Sequence, residues 1–220
     1  MVENSKCREA AIRELVHPTL EMTKSFLTSD DVERVSGVPQ IIYADESDEE
    51  YKEYYFSAKD DYYFIIISIL VSELPQPCDF RFGEYFSFGL IIHSYDDDLG
   101  GICDKLEFNR DFVKFKKTHP KAFLDQNIRR YRLIYEPKLE SKYNGFSAQL
   151  DEILSKFVPI KNKLITLYKD SNKEIEISVG VVQHISQMGY FYLTVEDMSK
   201  LNELRIDISF SIMAGGYPID

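Results

Sequence analysis

KEIEISVGVV, residues 173–182, is the stretch on which the fold assignment turns. Ile175, Ile177, Val179 and Val181 alternate with Glu174, Glu176 and Ser178, which is the period of a half-buried strand. Upstream, Ser147 is placed to cap a helix carrying Leu150, Ile153, Leu154 and Phe157. Pro159 interrupts that helix, and Leu164, Ile165, Leu167 and Tyr168 continue its spacing. Downstream, Tyr190–Leu193 reads as a short strand. Thr194 and Asp197 then form a capping-box pair for a helix whose apolar stripe is Met198, Leu201 and Leu204. Arg205–Met213 follows as a strand with Ile206, Ile208, Phe210 and Ile212 inward. Helix, strand, strand, helix, strand is an α+β layout, a largely antiparallel sheet with helices packed on it.

Earlier in the chain, YYFIIISILV (62–71) and YFSFGLIIH (85–93) are short, continuous apolar runs that read as buried strands, able to pair across the turn at Leu74-Pro75-Gln76-Pro77. Arg129–Tyr135 alternates, with Tyr131, Leu133 and Tyr135 on one face, and Leu99–Leu106 is a short helix weakened by Gly100 and Gly101. The N-terminal part begins with a helix through Ile12, Leu15 and Val16 that Pro18 ends, then a short helix from Leu20 to Leu27. Ser29 caps a third, running through Val35 with Gly37 as its stop. Residues 45–61 read as an acidic, tyrosine-rich loop. The expected organisation is an N-terminal helical and strand extension over 1–80 and an α+β domain over 81–220.

The chain has 220 residues, of which 44% are hydrophobic, with 15 Tyr and 15 Phe, so a real core is expected. The net charge is −11, which disfavours nucleic acid and anionic membranes as partners and favours basic ones. Cys7, Cys78 and Cys103 have no paired spacing, so neither a disulfide framework nor a zinc site is expected. No signal-peptide pattern opens the sequence, and no apolar run is long enough to cross a membrane, so the expected location is the cytoplasm.

Motifs that carry chemistry are absent. His17, His93, His119 and His184 have no metal-ligand spacing, no G-x-S-x-G elbow or phosphate-binding loop occurs, and Cys103 reads as a small core hydrophobe. Neither an enzyme nor a cofactor is expected. Charge, however, is segregated. Residues 45–61 carry a local −6, whereas 105–132 carry +6 with Phe108, Phe112, Phe115 and Phe123 interleaved. The basic segment is read as a solvated strand face. The acidic one is the candidate partner surface: Asp45, Glu46, Asp48, Glu49, Glu50, Tyr51 and Tyr54, with Asp96, Asp97 and Asp98 as a second group.

Tyr85–Met213, about 60% of the chain, resembles the bacterial domain of unknown function 4279 family. The segments that carry the likeness are FSFGLIIHS, KLEFNRDFVKFKKTHP, YRLIYEPKLES, QLDEILSKFVPIKNKL, IEISVGVV, YFYLTVEDMSKLNEL and RIDISFSI. Thr118-His119-Pro120 only loosely echoes the family's Pro-Thr segment, and Tyr131 stands near where its aromatic strand has Trp. Many members look like immunity proteins encoded beside polymorphic toxins, including those of contact-dependent growth inhibition. The resemblance therefore implies a protein that binds and occludes a cognate toxin domain. The alternative is a non-enzymatic small-molecule or regulatory binding module.

Overall fold

A computed structural model describes residues 2–59, 63–96, 98–118, 130–170, 172–184, 186 and 191–215. The fold is α+β, with antiparallel sheets and helices packed on them. The chain divides into two compact units, 1–85 with 181–190 and 212–220, and 86–180 with 191–211.

In the first unit, α1 (Val2–Glu14) and α2 (Glu21–Ser29) are joined through a buried carboxylate. Glu14 accepts the backbone N–H groups of Thr19 and Leu20 and the Thr19 hydroxyl, supplying acceptors that the cap residue Leu20 cannot. The helix expected from Ser29 to Val35 does not form. That segment becomes a hairpin of β1 (Arg34–Val35) and β2 (Val38–Pro39), with Ser36 and Gly37 both at positive φ. Two left-handed residues are what a tight hairpin turn requires, so Gly37 turns a hairpin and does not stop a helix. Asp30 and Asp31 bind the following backbone N–H groups, and such local bonds compete with helix.

A four-stranded meander follows, built from β3 (Ile41–Asp45), β4 (Tyr51–Ser57), β5 (Phe64–Leu70) and β6 (Gln76–Gly83) in that spatial order. The acidic stretch expected to be one loop is thus mostly strand. Only residues 46–50 connect β3 to β4. Pro77 lies in edge strand β6, opposite Ile69 and beside a register shift, the kind of position at which a strand tolerates proline. Tyr54, Phe56, Ile65, Ile67, Ile69, Phe80 and Phe82 point to one face, against Cys7, Ala10, Ala11 and Leu15 of the α1 segment and Phe26 of α2. Gly83 lies opposite Phe64, and a Cβ there would fall 2.1 Å from the ring. His184, of the segment counted with this unit, stacks on Phe82 at 3.6 Å between centroids.

The second unit contains β7 (Tyr85–Ser94), α3 (Leu99–Leu106), β8 (Val113–Thr118), β9 (Arg130–Tyr135), α4 (Gly145–Phe157), α5 (Lys161–Tyr168), β10 (Lys173–His184), α6 (Val195–Leu204) and β11 (Asp207–Gly215), some of whose ends are counted with the first. The sheet order is β11-β10-β7-β9-β8. β5 and β7 therefore lie in different sheets and do not pair across the proline turn. α3, α4, α5 and α6 pack on one another as a layer. Beneath them are Phe88, Leu90, Ile92, Leu133, Ile175, Ile177 and Val179, all buried. Phe146 of α4 contacts both Phe86 and Phe88.

Several local expectations are corrected here. α4 begins at Gly145, so Ser147 lies inside its first turn. Pro159 falls in a 3-10 turn, Val158–Ile160, that links α4 to α5. Residues 191–194 form no strand, although the Thr194–Asp197 capping box is present. Met198 and Ile212 are each 53% exposed, because the apolar residues that α6 buries are Leu201 and Leu204 and β11 is a sheet edge.

Two glycines give opposite predictions. Gly83→Ala must displace the Phe64 ring and destabilises the protein by about 1–3 kcal/mol. Gly101→Ala, in α3 with nothing near its added methyl, stabilises by about 0.5–1 kcal/mol. Urea unfolding measures both, and a stable Gly83→Ala variant would show the Phe64 contact is loose.

Candidate functional site

Period-two geometry gives the meander a second face, away from α1. Pairing of β3 with β4, β4 with β5 and β5 with β6 aligns Asp45, Glu53, Ser68 and Asp79 in one rung across all four strands. The next rung inward is Tyr43, Tyr55, Ile66 and Arg81. On the outer side Tyr51 lies opposite Leu70, and these two are 44% and 41% exposed. Three carboxylates in register, two of them directly opposite, oppose folding by a few tenths of a kcal/mol or more. Arg81 offsets part of that cost, reaching Glu53 at 2.6 Å and Asp79 at 4.0 Å. Glu53 also accepts from the Tyr55 hydroxyl, and burial together with that carboxylate pushes the Tyr55 phenol up.

The β3–β4 connection is organised by its own side chains. Asp45 accepts the Ser47 N–H and hydroxyl, and Asp48 accepts the N–H groups of Glu50 and Tyr51. Lys52 is buried under the turn and donates to the carbonyls of Glu46 and Asp48. Hydrogen bonds from Ser47 hold the Asp45 carboxyl below its ordinary range, and the Tyr51 and Glu50 amides do the same for Asp48. The result is an open, polar cleft of about 590 Å³ between the turn and the β4–β6 end of the sheet.

The predicted site residues divide accordingly. Asp45, Asp48 and Tyr51 line this cleft, and Glu49 and Glu50 are exposed on the turn above it. Glu46 faces the other way and accepts from Asn4, Arg8 and the Tyr54 hydroxyl, so it ties the turn to α1. Tyr54 is fully buried and belongs to the core, not to a contact surface. Asp96 and Asp98 are in the second unit, where the Lys173 ammonium lies 3.5 Å and 3.0 Å from their carboxylates. The Lys173 side chain is 2% exposed, so these acids neutralise a buried cation. Asp97 lies outside the described residues. Glu53, Ser68, Leu70, Asp79 and Arg81 were not singled out in the sequence. The one signal for them is the alternation of Tyr51, Glu53 and Tyr55 against Lys52, Tyr54 and Phe56, which charge and tyrosine content disguise.

The cleft also contains Cys78, whose Sγ is 3.3 Å from the Ser68 carbonyl. Burial and the Asp79 carboxylate push its thiol up, the opposite of what a nucleophile needs. Ser94 and Lys173 are in contact at 2.7 Å, but Ser94 is fully buried and its hydroxyl donates to the Asp96 carbonyl. Among the described residues no group of three His, Cys, Asp or Glu is placed to hold a metal ion, and no helix is long and apolar enough to cross a membrane. Comparison with known proteins gives no matching family model and no matching curated protein.

The turn carboxylates set a pH dependence. Asp45, Glu46 and Asp48 are all depressed, so the stability they contribute is present above the ordinary carboxylate range and is lost as pH falls through it. Thermal melts between pH 6 and pH 3 should fall steeply below about pH 4.5. Glu46→Gln should flatten part of that fall. An unchanged profile in Glu46→Gln would show that the tie to Arg8 contributes nothing.

Proposed function

We propose that the chain is a non-enzymatic protein-binding module whose second meander face engages a basic partner, and that it serves as a cytoplasmic immunity protein against a cognate bacterial toxin domain. The observation that carries the binding reading is the acidic rung Asp45, Glu53 and Asp79. Like charges aligned across strands work against folding, and a basic partner would relieve that repulsion. Beside the rung, exposed Tyr51 and Leu70 offer the apolar anchors from which interfaces draw most of their affinity. The acidic field would speed encounter with a basic surface. The resemblance of Tyr85–Met213 to immunity-like proteins supplies the class of partner, with occlusion of the toxin's active site as the mode of action. The cleft has the volume of a small-molecule site, but its openness and polar lining suit a partner side chain, such as Arg or Lys, better.

The test uses the toxin domain encoded beside the gene. One-to-one binding that abolishes its toxicity, with an association rate that falls as salt rises, is the expected result. Asp45→Asn keeps an acceptor for Ser47 but removes a carboxylate whose charged form the fold favours, so it should lower stability slightly at neutral pH without unfolding the protein. Combined with Asp79→Asn it should slow association several-fold, and Tyr51→Ala should mainly speed dissociation, by about tenfold or more. If the domain binds and all three variants behave as wild type, the surface is wrong. If it neither binds nor harms cells, the immunity reading is wrong.

A further inference from the structure

The second unit keeps its helices on one face of its sheet, so the other face presents the alternate residues. Across it runs a row in which Lys116 of β8 pairs with Arg132 of β9, and Arg132 with His93 of β7. Glu176 of β10 closes the row, with its Oε1 3.1 Å from His93 Nε2. Two nitrogens in adjacent members of this row are buried and have no hydrogen-bond partner, Nε of Arg132 and Nδ1 of His93. The His93 side chain is 9% exposed. Arg132 is half-buried and has no counter-ion among the described residues, and Lys116 is exposed and likewise unpaired. An unsatisfied buried donor on a charged group opposes folding, and it persists most readily where a ligand completes it.

From this row we infer that the face of the second sheet opposite its helices holds a tetrahedral oxyanion, phosphate or a phosphate ester, on Arg132, His93 and Lys116. Arg132 supplies the planar donor fork that fits two oxygens of such a group, and Lys116 supplies a point charge at the edge. Beside the ring stand Glu176 on β10 and Arg132 on β9, with Lys116 beyond it on β8, and Glu174 lies two residues along β10 from Glu176. With Nε2–H given to Glu176, the Nδ1 nitrogen can donate only when the ring takes a second proton from solvent.

Inorganic phosphate titrated into the full chain at low ionic strength, followed by the ring nitrogen resonances of His93, provides the test. Acetate at matched ionic strength is the second arm. The expected result is a saturable change of His93 toward the doubly protonated ring with phosphate and no saturable change with acetate. Arg132→Gln should weaken phosphate at least about tenfold, and Lys116→Gln, at an exposed edge position that does not endanger folding, about threefold. No saturable change, an undiminished response in both variants, or an equal response to acetate would each overturn the site.

Discussion

The pairing of β4 with β5 is the constraint on which the first unit depends. Tyr54 opposite Ile67 and Phe56 opposite Ile65 give the meander an apolar face for α1 and α2 to cover. The same register fixes Glu53 opposite Ser68 and Tyr51 opposite Leu70 on the reverse face. A slip of one residue would exchange the two faces, burying Glu53 and exposing Tyr54 and Phe56. Core and candidate surface are therefore one decision made once. The aromatic and isoleucine burial that holds the register also tolerates the repulsion along the acidic rung.

The second unit solves a different problem at the start of β10. Lys173 is buried, yet β10 must begin there because Ile175, Ile177 and Val179 supply the sheet's centre. Its ammonium is satisfied by the Ser94 hydroxyl and the carboxylates of Asp96 and Asp98, which follow the end of β7. Removing one partner of such a group leaves a charge out of water, a far larger cost than any exposed pair would give. The acids after β7 thus fasten the centre of the sheet.

The second unit was largely legible from sequence because its elements follow one clean period each. KEIEISVGVV alternates without a break, and the Thr194–Asp197 capping box marks the start of α6 as expected. The first unit was legible in its helices and in β5, but not between Ser29 and Ser57. There, Asp30 and Asp31 look like helix-opening acids while in fact binding local backbone, and YKEYYFS hides an alternation because both of its faces carry tyrosines. Mistaking that strand for loop made Glu46 and Tyr54 look like surface. Asp79 and Arg81 join the site only through strand pairing, which no local pattern specifies. Met198 and Ile212 follow the right period but lie at the margins of the core, where period does not decide burial.

The character of the cleft bears on what kind of function it can serve. General acid–base work needs carboxyls or imidazoles brought toward neutrality, and covalent work needs a nucleophile whose conjugate base is accessible. Here the shifts run the other way. The Asp45 and Asp48 carboxyls are stabilised as anions by hydrogen bonds, while Cys78 and Tyr55 are held in their neutral, protonated forms. Each of these four groups is thereby held in the state it already has at neutral pH, and the turn that presents the acids is braced from beneath by Lys52. A surface of fixed charge and fixed shape, flanked by Tyr51 and Leu70, is preorganised for recognition, since little has to be reordered or reprotonated when a partner arrives.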